Sequence, residues 1–180
     1  KRPKSAVAAD ASTSCIRTAC LDDAPKIWRL VVESGALDVN SRYCYLLMCS
    51  DFADTCLVAC RNDEIVGFVM AYRPPRRSAT LFVWQIGIAK SARGQGLATR
   101  LLKSLICTPG RESVKFIEAT VTPSNQASRR LFLAFAHELE VGCAVEDRFT
   151  AEMFDAADHE EEQLFRIGPL ATSSQEKSTR

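Results

Sequence analysis

Residues 81–105, LFVWQIGIAKSARGQGLATRLLKSL, decide the fold. From Leu81 to Ala89 the chain is uncharged and rich in apolar, β-branched and aromatic residues, the composition of a central strand buried on both faces. Further on, Leu97, Leu101, Leu102 and Leu105 recur at helical spacing, with Arg100, Lys103 and Ser104 on the other side. Between the two runs lies Arg93-Gly94-Gln95-Gly96-Leu97-Ala98. A small-residue turn entering a helix lets several backbone N–H groups converge on one anion, so the stretch outlines a diphosphate site. Spacing excludes two other phosphate loops. No third glycine follows Gly94 and Gly96 where a dinucleotide fingerprint needs one, and no GK[ST] ending marks a triphosphate loop.

The 180 residues are 47% hydrophobic and suit one domain with a sizeable core. With 23 Lys and Arg against 22 Asp and Glu, no global field recruits nucleic acid or an anionic membrane. Of the eight cysteines, Cys44, Cys49, Cys56, Cys60, Cys107 and Cys143 sit in apolar periodic segments, as reduced core thiols do. Neither Cys56 with Cys60 nor Cys15 with Cys20 has a second ligand pair, so no metal is expected. No apolar run is long enough to span a membrane, and Lys1 to Lys4 precede no apolar signal core, which points to a cytoplasmic protein.

Residues 1–14 and 171–180 read as disordered tails around a domain of residues 15–170. A strand is expected at Cys15–Thr18, then a helix capped by Asp22 or Asp23, with Pro25 early and Gly35 ending it. A short, largely buried helix spans Tyr43–Cys49. The polar cluster before it, LDVNSRY, supplies either caps and a turn or a lid over a small-molecule pocket, with Asp38 and the Tyr43 hydroxyl facing an amine. Asn62-Asp63 joins the strands 55–61 and 64–72 as a hairpin, and Arg73-Pro74-Pro75-Arg76-Arg77 forms a stiff loop. After the central strand and its helix come a strand at 114–119, a helix at 125–139, a strand at 141–145, a loop at 146–158 and a closing strand at 163–167. Alternation places Glu160 and Glu162 on one side and Glu161 on the other. The whole is an α/β domain with a mixed sheet flanked by helices.

In that context the R-x-x-G-x-A motif resembles the Q/R-x-x-G-x-G/A signature of the GCN5-related N-acetyltransferase superfamily. The likeness is closer still to one family within it. Ile27-Trp28-Arg29-Leu30, Leu37-Asp38-Val39-Asn40-Ser41, Tyr43-Cys44-Tyr45-Leu46-Leu47, Tyr72-Arg73-Pro74-Pro75, Leu81-Phe82-Val83-Trp84-Gln85, Thr120-Val121-Thr122-Pro123-Ser124-Asn125 and His159-Glu160-Glu161 with Leu164-Phe165-Arg166-Ile167 together resemble the L-2,4-diaminobutyrate acetyltransferases of ectoine biosynthesis. The resemblance covers roughly residues 16–170. It implies a single-domain fold whose central sheet splays, and a cytoplasmic homodimer that moves acetyl from acetyl-coenzyme A to the 4-amino group of L-2,4-diaminobutyrate.

The resemblance also assigns residues. Main-chain groups of Ile86 and Ile88 would hold the pantetheine arm, the amides of Arg93, Gly94, Gln95, Gly96, Leu97 and Ala98, with Thr99, the diphosphate, and Asn125 the arm near the sulfur. Asp38, Ser41, Tyr43, Trp84 and Glu160 would form the diaminobutyrate pocket. Where many relatives place a tyrosine to protonate the leaving thiolate, this chain has Phe132, which leaves Tyr43, water or no protein group for that task. Glu160, then Glu118, are the candidate bases, the N–H of Ile86 or Gly87 the oxyanion donor, and Arg42 or Arg73 the partner of the substrate carboxylate. No Cys–His pair suggests an acetyl-cysteine, so direct transfer is expected. The alternatives are transfer to another small diamine or amino acid, or a noncatalytic acetyl-coenzyme A sensor.

Overall fold

The computed structural model describes residues 14–108, 113–154 and 159–171. Apart from Ser14 and Ala171, the two expected tails lie outside these residues, as does the end of the expected 146–158 loop. In chain order the elements are β1 (Cys15–Thr18), α1 (Ala24–Ser34), α2 (Arg42–Ser50), β2 (Cys56–Arg61), β3 (Glu64–Tyr72), β4 (Thr80–Ile88), α3 (Leu97–Cys107), β5 (Phe116–Val121), α4 (Gln126–Glu138), β6 (Cys143–Phe149) and β7 (Glu162–Ile167). They build a seven-stranded sheet in the order β1-β2-β3-β4-β5-β7-β6. Every pairing is antiparallel except β4 with β5. The sheet is therefore mixed and open.

Strand alternation divides the core between its two faces. Val69 and Ala71 of β3 pack with Leu97, Leu101, Leu102 and Leu105 of α3 and with Phe132 and Phe135 of α4. Phe68 and Met70 of the same strand pack with Ile27, Leu30 and Val31 of α1 and with Tyr45, Met48 and Cys49 of α2. Burying each large apolar side chain contributes about 1.5–3 kcal/mol, so the leucine stripe of α3 anchors the glycine turn before it to the sheet. All eight cysteines are free thiols; Cys49 and Cys56 are buried, whereas Cys107, expected inside, is exposed.

Some boundaries move where pairing overrides local composition. β5 starts two residues later than expected and runs to Val121, because β7 pairs with it from Ile117 to Val121. β6 extends through the polar Glu146, Asp147 and Arg148 to Phe149, stretches expected as loop, because β7 supplies the complementary edge. The helix α2 is amphipathic rather than largely buried, with Tyr43 and Leu46 exposed.

Asp23 occupies the N-cap position of α1, yet its carboxylate does not cap the helix. It accepts two bonds from Arg17, at 2.6 and 2.9 Å, and one from the Cys20 backbone N–H at 2.9 Å, tying β1 to the start of α1. Those bonds, led by the one from Arg17, hold the carboxyl at a pKa of about 2. The folded value lies below the unfolded one of about 4, so this stabilisation is complete above pH 5 and fades as the pH falls from about 4 to 2. Asp23→Asn should cost about 1.5 kcal/mol at pH 7, allowing for solvent around Arg17. Urea unfolding of both proteins across pH should show that gap closing near pH 2; a gap that does not change with pH would assign Asp23 a purely steric role.

Candidate active site

The donor half of the site begins where β4 leaves β5. Only Thr80, Leu81 and Phe82 of β4 pair with β5, so a cleft opens beyond Phe82. On the other edge, Ala89 N–H donates to the Val66 carbonyl at 2.9 Å, and Phe68 opposes Gly87. By the alternation of an antiparallel ladder, the main-chain groups of Ile86 and Ile88 face the cleft, while those of Gly87 face β3. Of the two expected oxyanion donors, Ile86 is thus the one directed at the cleft. Gly87 has a different use: a Cβ there would come within 2.6 Å of Phe68 and 2.9 Å of Leu37, so only glycine lets the segment before α2 lie against β4.

The expected diphosphate turn closes this end. Ile86, Gly87, Ile88, Arg93, Gly94, Gly96, Leu97, Ala98 and Thr99 all border a cavity of about 400 Å³, which Asn125 closes from the far side. Gly94 and Gly96 take φ of 73° and 69°, left-handed values that suit glycine, and Gly96 is the N-cap of α3 with no side-chain bond to its first amides. Those amides are the unsatisfied donors that an anion needs. The side chain of Gln95 takes no part; it lies between Arg61, at 2.8 Å, and the Ser91 carbonyl, at 3.2 Å, which leaves only its backbone for the expected role. Asn125 caps α4 by accepting from Ser128 N–H at 3.1 Å. Its carbonyl oxygen is therefore committed to the helix, and its amide N–H₂ is the group available to a ligand.

The acceptor half is a larger adjoining cavity of about 750 Å³, bordered by Asp38, Trp84, Thr120, His159, Glu160 and Glu162 among others. Trp84 enters it through a β-bulge. Met70 opposes Gln85 and Ala71 opposes Val83, so Trp84 is the extra residue, and it packs with the adjacent Gln85 toward the α1 and α2 side. Its ring lies 5.7 Å from that of Tyr45. Trp84 borders the cavity and also packs against the core cluster between the sheet and the α1 and α2 helices.

The three carboxylates differ in their partners. Asp38 is exposed at the rim. Glu160 accepts from Ser124 N–H at 3.1 Å and from the Ser124 hydroxyl, so both its oxygens are engaged. Glu162 is half-buried, and one of its oxygens is buried with no hydrogen-bond partner. Burial, reinforced by the charges of Asp38 and Glu160 and opposed by Thr120 and His159, pushes its pKa above the usual carboxylate range. His159 stacks on Phe154 with ring centroids 3.7 Å apart, and its Nδ1 lies 2.6 Å from the Glu160 carbonyl.

Several expected residues lie elsewhere. Ser41 is the N-cap of α2, accepting from Cys44 N–H at 3.4 Å, and Tyr43 is 65% exposed; neither borders the cavity. Glu118 is 1% exposed and ion-paired through both oxygens, with Arg77 at 3.1 Å and with Arg166. It is absent from the cavity wall, so it has no access to the cavity as a base. Arg42 stacks on Trp28 at 4.2 Å and Arg73 bonds Ser113 at 3.0 Å; no Lys or Arg among the described residues borders the larger cavity. Phe132 does border it. No cysteine among the described residues borders either cavity, and none of them form a cluster of three or more metal-type ligands. Glu162, Thr120, His159 and Gln85 border the cavity without having been singled out in the sequence. Alternation had grouped Glu162 with Glu160, and the start of β7 at Glu162 is what separates them.

Residues 20–136 match the Acetyltransferase (GNAT) family. An L-2,4-diaminobutyric acid acetyltransferase from Marinococcus halophilus is 49% identical over 150 residues, covering 83% of this chain and 87% of that protein. Another, from Halalkalibacterium halodurans, is 46% identical over 159 residues, covering 88% and 84%. A solved structure of diaminobutyrate acetyltransferase from Paenibacillus lautus, in complex with its substrate L-2,4-diaminobutyric acid and coenzyme A, superposes with a TM-score of 0.84 at 46% identity, over 87% of this chain and 95% of that one. With the splayed strand, the glycine turn and the adjoining acidic cavity all present, the chain belongs to the GNAT acetyltransferases and, among them, to the L-2,4-diaminobutyric acid acetyltransferases.

Proposed function

We propose that this protein is an acyltransferase that moves acetyl from acetyl-coenzyme A to the 4-amino group of L-2,4-diaminobutyrate, giving N4-acetyl-L-2,4-diaminobutyrate for ectoine biosynthesis. The observation that carries the reading is the meeting of the two cavities at Ile86 and Asn125, which border both. Donor and acceptor then share one edge of β4. Acetyl-coenzyme A supplies the activated acyl group; its diphosphate is assigned to the amides from Arg93 to Ala98 and its pantetheine arm to Ile86, Ile88 and Asn125.

An alkyl ammonium with a pKa near 10 must lose a proton before it can attack a thioester. Glu162 is the better acceptor of that proton than Glu160, because it has a buried free oxygen and a raised pKa, whereas Ser124 engages both oxygens of Glu160. Asp38 holds the remaining ammonium at the rim. Trp84 bounds the short aliphatic chain, and the Ile86 N–H stabilises the oxyanion of the tetrahedral intermediate. The thiolate leaves without a tyrosine to protonate it. Cytoplasmic placement and a homodimer follow from the family resemblance. The homodimer is supported by the edge strand β6, which is exposed along most of its length and presents Val145 and Phe149 beside the exposed Met153.

Purified protein given acetyl-coenzyme A and a panel of diaminobutyrate, ornithine, lysine and putrescine should acetylate diaminobutyrate at N4 with the highest kcat/KM, as read by mass spectrometry of the product. Preference for another amine would replace the substrate, and coenzyme binding without transfer to any amine would establish a sensor. Glu162→Gln should lower kcat by about 10²-fold or more while the KM for acetyl-coenzyme A stays within about twofold. Because Glu162 must be ionised to act, kcat/KM for the wild type should rise with pH through its raised pKa, and the variant should lose that acid limb. An unchanged acid limb in Glu162→Gln, with its loss in Glu160→Gln, would return the role to Glu160.

A further inference from the structure

The segment between α1 and α2, which carries Asp38, has no regular structure of its own from Gly35 to Ser41. Its position is set by polar contacts from elsewhere in the fold. The Gln85 side-chain N–H donates to the Asp38 carbonyl at 2.9 Å, and the Tyr45 hydroxyl donates to Gln85 Oε1 at 3.0 Å. Trp28 Nε1–H donates to the Asn40 carbonyl at 3.2 Å. Chemistry fixes the orientation of the Gln85 amide: a main-chain carbonyl only accepts, so the N–H₂ faces Asp38 and the oxygen faces Tyr45.

These two side chains sit where a polar group needs a reason. Tyr45 is 0% exposed and Gln85 8% exposed, inside an otherwise apolar cluster between the sheet and the α1 and α2 helices. The bulge at Trp84 is what turns Gln85 toward that layer; an unbulged strand would put Gln85 on the opposite face, with Val83 and the α3 side. The bulge therefore sets a cavity wall with one residue and anchors the cavity rim with the next. Neither Gln85 nor Tyr45 carries a charge at working pH, so the anchor holds independently of the protonation of Asp38 and Glu162.

We infer that Gln85 and Tyr45 are positioning residues that set the affinity for the amine acceptor by fixing the Asp38 segment against β4. The inference rests on the proposed role of Asp38 in holding the substrate ammonium. The anchor's bonds fall on Asp38 and on no residue of the turn from Arg93 to Ala98.

Steady-state kinetics of Gln85→Leu, Tyr45→Phe, Asp38→Asn and the Gln85→Leu/Asp38→Asn pair test it. Gln85→Leu should raise the KM for diaminobutyrate about tenfold and that for acetyl-coenzyme A less than about twofold. Tyr45→Phe, which keeps the Gln85 bond to Asp38, should raise the former by about threefold and serves as the readout if Gln85→Leu fails to fold. On top of Asp38→Asn, Gln85→Leu should add little, because it acts through the same carboxylate. Equal rises in both KM values, full multiplication of the two effects, or no change in Tyr45→Phe would overturn the inference. An unchanged KM in Asp38→Asn would instead remove the ammonium contact itself, and the inference with it; a raised KM there beside an unaffected Gln85→Leu would remove the inference alone.

Discussion

The chemistry of this chain depends on one broken pairing: β4 and β5 run side by side through Phe82 and then part. Parallel neighbours buried between helices normally stay hydrogen-bonded along their length, because unpaired main-chain groups in an interior are costly. In the proposed reading, the freed groups of Ile86 and Ile88 take a substitute partner in the extended arm of a coenzyme, which can lie along the open edge as an added strand. The same divergence makes room for the acceptor between Trp84 on one wall and Thr120 on the other. Two substrates meet because two strands do not.

Electrostatics sorts what enters. Lys and Arg side chains are absent from the described wall of the larger cavity, while Asp38, Glu160 and Glu162 converge on it. Such a surplus of negative charge favours a molecule with two ammonium groups, and it adds to burial, the larger cause, in raising the pKa of the most enclosed carboxylate, Glu162. In the proposed reading, one arrangement attracts the substrate cation and provides the base that discharges it. Glu118 shows the contrasting case. More deeply buried than Glu162, it is paired with Arg77 and Arg166 and serves the fold, clamping the loop before β4 to β5 and β7.

Much of the donor half was legible in the sequence, because its signals are local. Gly94 and Gly96 adopt the conformations that their spacing implies, and the leucines from 97 to 105 form the buried face of α3. The acceptor half was legible only as a set of candidates. Which of Ser41, Tyr43 and Tyr45 turns inward depends on the rotation of α2, and a polar cap before a short helix does not report it. The choice between Glu160 and Glu162 depends on where β7 begins, a long-range pairing with β5 and β6. Gln85 was read as part of an apolar strand because no local pattern announces the bulge at Trp84. Tertiary pairing, rather than residue chemistry, decided each of these positions.

A crystal structure of the protein with coenzyme A and diaminobutyrate bound together tests the central claim most directly. The account predicts the 4-amino nitrogen within about 3 Å of a Glu162 oxygen, or one water removed from it, with the coenzyme sulfur beside Ile86 and the other ammonium on Asp38. A 4-amino group bound to Glu160, or a diaminobutyrate molecule seated away from the cleft between β4 and β5, would contradict it.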